Sequence, residues 1–202
     1  MRRLSTASLL LLVSFAAEAR AEAAAGLDEA ACKAALASLP RPPLLRAEFS
    51  QEKTLPDVAK PLRAQGELVV SAEHGVILRT LRPAFAQATR VIALPRPDQP
   101  AGNLEARIGR MVQALLCGDF GPLSEHFAAS AERREGKLVV RLSPRSAQTR
   151  EVIAAITLRL GVHLEELVVD EASGGRIHLR FSGFRTGPAL DPGELRSFDG
   201  AR

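Results

Sequence analysis

The sequence predicts an α+β fold: one strongly curved, unclosed antiparallel β-sheet or partial barrel whose concave face is covered by helices. Three observations predict it. Apolar and polar residues alternate with a period of two in several stretches, glycine or proline separates most of these stretches, and helical patterns lie near the N-terminus and in the middle of the chain. A long sheet with one apolar face has to curl or be covered.

The stretch Pro61–Phe85 is the best-defined element, and its pattern predicts a strand, a turn and a second strand paired as an antiparallel hairpin. The first strand alternates between a face expected to be buried, which carries Leu62, Ala64, Gly66, Leu68 and Val70, and a wetter face, which carries Arg63, Gln65, Glu67, Val69 and Ser71. Gly75 supplies the turn, and Pro83 ends the second strand because proline cannot donate a hydrogen bond to a neighbouring strand.

The N-terminus has the pattern of a cleavable signal peptide. Arg2 and Arg3 precede an apolar run over residues 9–17, and small-residue cleavage patterns follow. An uncleaved membrane anchor is the alternative, but the run is shorter than the ~20 apolar residues that a spanning helix needs. We expect residues 1–21 to be removed and residues 22–202 to form a single domain in the periplasm.

The elements around the hairpin follow from the same two periodicities. Before residue 130 the pattern predicts, in chain order, a helix over Leu27–Leu39 with Leu27, Ala31, Ala35 and Leu39 on its apolar stripe, a strand over Leu44–Thr54, a strand over Phe85–Leu94, a helix over Leu104–Cys117 and a short helix over Pro122–Ala128.

The second half of the chain returns to strands. Alternation predicts them over Lys137–Ser143, Val152–Leu160, His163–Asp170 and Arg176–Phe184. The pair Asp191-Pro192 is a favourable cap and first position for a short helix through Phe198. Strands that follow one another in sequence are expected to pair as hairpins, which makes the sheet largely antiparallel.

The composition argues against several classes of function. The chain of 202 residues has eight Phe but neither Trp nor Tyr, whereas sugar-binding clefts and base-stacking platforms usually need flat aromatic side chains. Without residues 1–21 the net charge falls to about +2, and positive and negative residues alternate along the chain. Nucleic acid is therefore not the expected partner.

No pattern of residues points to catalysis. The four histidines, His74, His126, His163 and His178, are scattered with no cysteine or carboxylate at ligand spacing, and no nucleophile elbow, phosphate loop or dinucleotide fingerprint is present. We therefore expect no catalytic residue, no metal site and no cofactor, and the protein is not expected to be an enzyme.

The two cysteines, Cys32 and Cys117, leave two possibilities open. An even count in an oxidising compartment is compatible with one disulfide, which the chain-entropy model values at roughly 4 to 5 kcal/mol for a loop of this length. Two buried, unreactive thiols fit the sequence equally well.

Several short motifs resemble the outer-membrane lipoprotein carrier protein (LolA) family. The matching stretches are Glu48-Phe49-Ser50-Gln51-Glu52-Lys53, the hairpin with Pro83 after it, Leu115-Leu116-Cys117-Gly118-Asp119-Phe120, Gly136–Pro144 and the last two strands. The resemblance extends from about Leu44 to Leu195. Through Gly118-Asp119-Phe120 and Glu125-His126-Phe127, the chain looks more narrowly like the divergent members associated with aryl-polyene or xanthomonadin-type clusters.

The resemblance implies an unclosed antiparallel barrel that holds acyl chains on a concave apolar face beneath a helical lid. Such a protein ferries a lipidated cargo or lipid through the periplasm, from an inner-membrane exporter to an outer-membrane receptor, and acts as a monomer. A carrier of this kind needs an aliphatic cavity, which accepts methylene groups at ~0.8 kcal/mol each. The candidate cavity residues are Phe49, Leu68, Val70, Leu78, Phe85, Leu115, Leu138, Val140, Leu142, Ile177 and Leu179.

The sequence departs from the family pattern in the hairpin. Well-known carriers have an Arg-Trp pair ahead of the proline, and Ile77 and Leu78 occupy those positions in this chain. Arg79 comes one residue later, and a shift of one residue moves a strand side chain to the opposite face. The family's gating arginine therefore has no direct counterpart, and the identity of the cargo stays open.

A second functional class uses the same fold. A periplasmic lipid-sensing or adaptor protein would bind lipid on the same apolar face and pass the signal to a membrane partner. A third possibility, a small enzyme without a cofactor, predicts polar side chains inside the cavity, and the candidate cavity residues include almost none. The carrier is the preferred interpretation.

Overall fold

The computed structural model describes residues 27, 29–38, 40–93, 114 and 121–200. These residues form nine strands and four helices, with a short 3-10 turn at Ala84–Ala86. The strands are β1 (Leu44–Thr54), β2 (Leu62–Ser71), β3 (Gly75–Arg82), β4 (Ala88–Ala93), β5 (Phe127–Arg134), β6 (Lys137–Pro144), β7 (Ile153–Leu160), β8 (Leu164–Glu171) and β9 (Arg176–Thr186). The helices are α1 (Glu29–Ala37), α2 (Gly121–His126), α3 (Ala147–Arg150) and α4 (Pro192–Gly200).

All nine strands belong to one antiparallel sheet in the order β4-β3-β2-β1-β9-β8-β7-β6-β5. Sequence neighbours pair as hairpins, and the pairing of β1 with β9 joins the first half of the sheet to the second. The two outermost strands, β4 and β5, are not paired with each other, so the sheet is unclosed. The predicted fold class is confirmed.

Each strand alternates between two faces, which we call inner and outer. The inner face carries Phe49 of β1, and the register places Gly66 and Phe181 on either side of it. The outer face carries the neighbouring residues Glu48 and Ser50. Side chains from both halves of the sheet join in one hydrophobic core on the inner face.

The helices α1 and α2 lie on the inner face. Cys32 and Leu36 of α1 and Leu123 of α2 are buried in the inner core. The predicted stripe is confirmed in part: Leu27 and Ala35 pack against this core, Leu39 lies outside the described residues, and the most buried side chains of α1 are Cys32 and Leu36, one position after Ala31 and Ala35. Short alanine-rich helices carry little information about which face is buried, since alanine suits either side.

The helix α4 covers the other face of the sheet. Phe198 is fully buried against Leu44, Val69 and Ile77, which all point to the outer face of β1, β2 and β3. The sequence pattern assigned Val69 to the wetter face of its strand, and the structure corrects this assignment. Both faces of β2 are buried near its C-terminal end, because Leu68 and Val70 join the inner core and Val69 packs beneath Phe198 of α4.

Some element boundaries also differ from the sequence prediction. The predicted helix over Pro122–Ala128 ends at His126, and Phe127 begins the strand β5, which the sequence did not predict. Phe85 lies in the 3-10 turn, and β4 begins only at Ala88. The predicted helix over 104–117 lies outside the described residues apart from Ala114, which is helical and buried.

Candidate functional site

Most of the predicted cavity residues meet on the inner face. Six of them, Phe49, Leu68, Val70, Leu138, Val140 and Leu142, are buried in the inner core, and Leu78 and Leu179 are partly buried against it. Ile177 is half-buried on the inner face of β9. Phe85 is 92% exposed on the 3-10 turn and does not join the core. Leu115 lies outside the described residues.

One row of inner-face residues runs across six strands, and its side chains become more exposed from one end to the other. In order from β6 to β2, the row consists of Leu142, Ile156, Val169, Ile177, Lys53 and Leu62. Leu142 at one end is 2% exposed, whereas Leu62 at the other end is 56% exposed. Burial falls with distance from the part of the sheet against which α1 packs.

The less buried part of this row forms an aliphatic surface that we call the open strip, consisting of Leu62, Val169, Ile177 and Leu179. Leu179 belongs to it because it lies two positions along β9 from Ile177, on the same face. The ammonium group of Lys53 reaches Glu171 at 3.1 Å, so the one charged side chain within the row is paired at the end of the sheet. The open strip can accept hydrocarbon.

Phe49 keeps its place on the inner face because its neighbour on β2 is glycine. A Cβ atom at Gly66 would lie 2.8 Å from Cε1 of the Phe49 ring and would overlap the carbonyl oxygen of Arg79. Such an approach is closer than van der Waals contact permits, and the carbonyl belongs to the backbone, which cannot easily move. The sequence pattern placed Gly66 on the apolar face of the hairpin, but it did not indicate that the Phe49 ring and the Arg79 carbonyl leave no room for a side chain there.

The hairpin residues that replace the family's Arg-Trp pair point to opposite faces. Ile77 is fully buried on the outer face beneath α4, and Leu78 packs against the inner core. Arg79 pairs in register with Glu67 and Thr89 and lies on the outer face with Ile77. Arg79 is therefore on the face opposite to Leu78 and does not extend toward the inner core.

A separate open cavity of about 710 Å³ lies on the outer face. Two adjacent rows of outer-face residues form its floor, and these include Glu48, Ser50, Gln65, Glu67, Arg180 and Ser182. Its lining also includes Phe49, Leu81, Phe181 and Phe184, so it exposes polar and apolar surface about equally, unlike the open strip. Among the described residues, no group of three or more His, Cys, Asp or Glu side chains could hold a metal ion.

The histidines are dispersed in the structure as in the sequence. The rings of His74 and His163 pack against Phe198 and Phe184 at centroid distances of 5.5 and 4.8 Å. Nε2 of His178 lies 3.5 Å from a carboxylate oxygen on β8. His126 ends α2.

Cys32 of α1 is buried and has no disulfide partner among the described residues. Burial raises the pKa of this thiol, and the nearby Glu29 carboxylate raises it further. Cys117 lies outside the described residues. A bridge between the two cysteines stays a prediction.

No protein-family model and no curated protein matches this chain. Several solved structures are similar to this chain. A LolA superfamily protein from Nitrosomonas europaea is 12% identical with a TM-score of 0.39, and the match covers 79% of this chain and 93% of that one. A DUF1329 family protein from Desulfovibrio piger is 10% identical with a TM-score of 0.36, covering 82% of this chain and 96% of that one.

A third similar structure is an outer membrane lipoprotein-sorting protein domain from Vibrio parahaemolyticus, 10% identical with a TM-score of 0.31, covering 79% of this chain and 92% of that one. The first of the three carries the family name that the sequence motifs suggested. The narrower resemblance to aryl-polyene-type members stays a prediction.

Proposed function

We propose that the protein is a periplasmic carrier that binds the acyl chains of a lipid or lipoprotein on the inner face of its sheet. The observation that carries this proposal is the open strip, the less buried part of an inner-face row that begins at the 2% exposed Leu142 in the core. The row passes the Lys53–Glu171 ion pair and ends at the 56% exposed Leu62. An acyl chain laid along the strip would continue the core outward and remove its apolar side chains from water.

The chemistry of the strip suits hydrocarbon. Leu62, Val169, Ile177 and Leu179 are all aliphatic, and burial of each methylene group of a ligand contributes about 0.8 kcal/mol. A carrier also has to release its cargo. Because β4 and β5 are not paired with each other, the sheet is open between them, and a change of its curvature around a ligand would break no pairing among the nine strands.

In this proposal the carrier is a monomer that receives its cargo from an inner-membrane exporter and delivers it to an outer-membrane receptor. The cargo is a lipidated protein or a polyene-type lipid. No helix among the described residues combines the length and the hydropathy that crossing a bilayer requires.

The first test is native mass spectrometry with lipid extraction on the protein purified from the periplasm of its own host. We expect a bound acylated species, and its mass would separate a lipoprotein from a polyene-type lipid. Recovery of an empty protein that also fails to take up a fluorescent fatty acid would contradict the proposal.

Two neighbouring valines of β8 provide a matched pair for the second test. Val169 is half-buried on the inner face between Ile156 and Ile177, and Val168 is half-buried on the outer face. We expect Val169→Asp to weaken fatty-acid binding at least about tenfold, because a carboxylate in the strip is costly to desolvate. Val168→Asp should bind like the wild type. Equal effects of the two substitutions would exclude the open strip as the binding site.

A further inference from the structure

The turn between β3 and β4 presents a large apolar side chain to solvent. Phe85 is 92% exposed on this turn, although phenylalanine is among the residues most often buried in folded proteins. Leu81, just before the turn, is also exposed. The ring of Phe85 belongs neither to the inner core nor to the cluster beneath α4. The packing of the described residues therefore does not explain a phenylalanine at this position.

The neighbouring strand brings further apolar side chains to the same end of the sheet. The register pairs Arg82, at the end of β3, with Gln65 near the beginning of β2. Leu62 at the beginning of β2 and Val58 in the preceding loop are also exposed. Exposed apolar residues that share one end of a sheet mark an interaction surface rather than scattered single exposures.

The charges around these residues are mainly positive. The segments 55–63 and 81–90 contain the basic residues Lys60, Arg63, Arg82 and Arg90 and a single acidic residue, Asp57. Arg63 binds Glu52 at 3.1 Å. Among the described residues, Lys60, Arg82 and Arg90 have no ion-pair partner, so their charges are available to an external group.

We propose that this end of the sheet docks on the surface of an anionic phospholipid bilayer, with Phe85 as the inserted anchor. Val58 and Phe85 protrude from a loop and a turn, and Leu62 and Leu81 extend this apolar surface onto the ends of β2 and β3, where Leu81 and Arg82 also line the outer-face cavity. Interfacial binding combines such apolar insertion with basic residues that contact lipid phosphates. The docking surface is defined as Val58, Lys60, Leu62, Leu81, Arg82 and Phe85. Leu62 also belongs to the open strip, but Phe85 and Arg82 do not, so substitutions at those two positions test docking separately from cargo binding.

The chain offers a direct spectroscopic test because it contains no tryptophan. Phe85→Trp would introduce a single fluorophore at the proposed anchor, and Val162→Trp would introduce one at another exposed site, in the turn between β7 and β8. With vesicles of phosphatidylethanolamine and phosphatidylglycerol, we expect a blue shift and protection from an aqueous quencher for Phe85→Trp only. Equal shifts at both positions, or none at position 85, would overturn the proposal.

Vesicle co-sedimentation provides the second measurement. We expect the wild type to bind the phosphatidylglycerol vesicles more weakly as salt is raised, and to bind phosphatidylcholine vesicles poorly. Phe85→Ala should weaken binding at least about tenfold, and Arg82→Glu should weaken it and reduce its salt dependence. Val162→Ala should leave binding unchanged. A wild-type protein that stays in the supernatant, or that requires a protein receptor in the vesicles, would contradict direct lipid docking.

Discussion

Arg46 of β1 and Glu194 of α4 form a two-pronged ion pair across 148 residues of sequence. Nε of Arg46 donates to one carboxylate oxygen at 2.8 Å, and Nη2 donates to the other at 2.6 Å. The Glu194 side chain is only 3% exposed. This contact fixes the C-terminal helix to the outer face of the sheet, beside the apolar contacts of Phe198.

Removal of the arginine should strongly destabilise the protein. Arg46→Ala would leave the Glu194 carboxylate buried without its cation, which typically costs about 3 kcal/mol or more in free energy of unfolding. Urea unfolding checks this value. Arg63→Ala is the matched control, because Arg63 pairs with Glu52 on the surface and such pairs contribute about 1 kcal/mol or less. Similar losses in the two variants would contradict the importance of the buried Arg46–Glu194 pair.

The cap of α4 should make stability depend on pH at the acid end. The backbone N–H of Glu194 donates to Asp191 at 2.7 Å, and the hydrogen bonds from the N–H groups of Glu194 and then Gly193 hold the pKa of Asp191 below its ordinary value. Because the folded-state pKa is depressed, this contribution is full above the unfolded pKa and is lost as the pH falls through the folded pKa.

Asp191→Asn tests that dependence while keeping a good capping residue. We expect the variant to lose less stability than the wild type between neutral pH and about pH 3, measured by urea unfolding across that range. Identical slopes of stability against pH would show that the Asp191 carboxylate does not contribute.

An added methyl group at Gly66 should disturb the inner face. Gly66→Ala would force the Cβ against the Arg79 carbonyl and the Phe49 ring, and we expect a loss of about 2 kcal/mol or more. Thermal unfolding measures this loss of stability. Gly200→Ala is the control, since a Cβ there meets no atom within 4 Å. Comparable effects of the two changes would mean that the contact at Gly66 relaxes freely.

The buried thiol of Cys32 should be slow to react. Its raised pKa lowers the fraction of thiolate, and its burial excludes the reagent. We expect iodoacetamide to label Cys32 only after the protein is unfolded, as read by peptide mass mapping. A requirement for a reductant as well as denaturant would mean that Cys32 is in a disulfide. Peptide mass mapping without reduction would then show whether Cys117 is its partner.

Periodicity predicted the strands well because the alternation of side chains in a strand is a local property of the chain. The bounds of β1 agree with the prediction at both ends, and Asp191-Pro192 marked the beginning of α4. The strand β5 was missed since its sequence, FAASAERR, follows a short helix directly and contains small residues that suit either structure. Phe127 is buried in the strand as it would have been in a helix.

The candidate site was predicted in part. The alternation identified inner-face residues such as Leu68 and Val140, which the structure places in one core. It could not identify Val169 as part of the open strip, because exposure depends on how far the helices extend over the sheet. Phe85 was assigned to the cavity on hydrophobicity alone, and the turn that carries it directs it to solvent.

The sequence by itself determined which residues share a face, because a period of two is written into each strand and one step along it reverses the side chain. Only the tertiary structure decided which faces are covered. The contact of Arg46 with Glu194 places a helix over Val69 and Ile77, and the pairing of β1 with β9 joins two halves of the chain into one apolar face. Both depend on residues far apart in sequence, whose meeting follows from the packing of the whole sheet rather than from any local pattern.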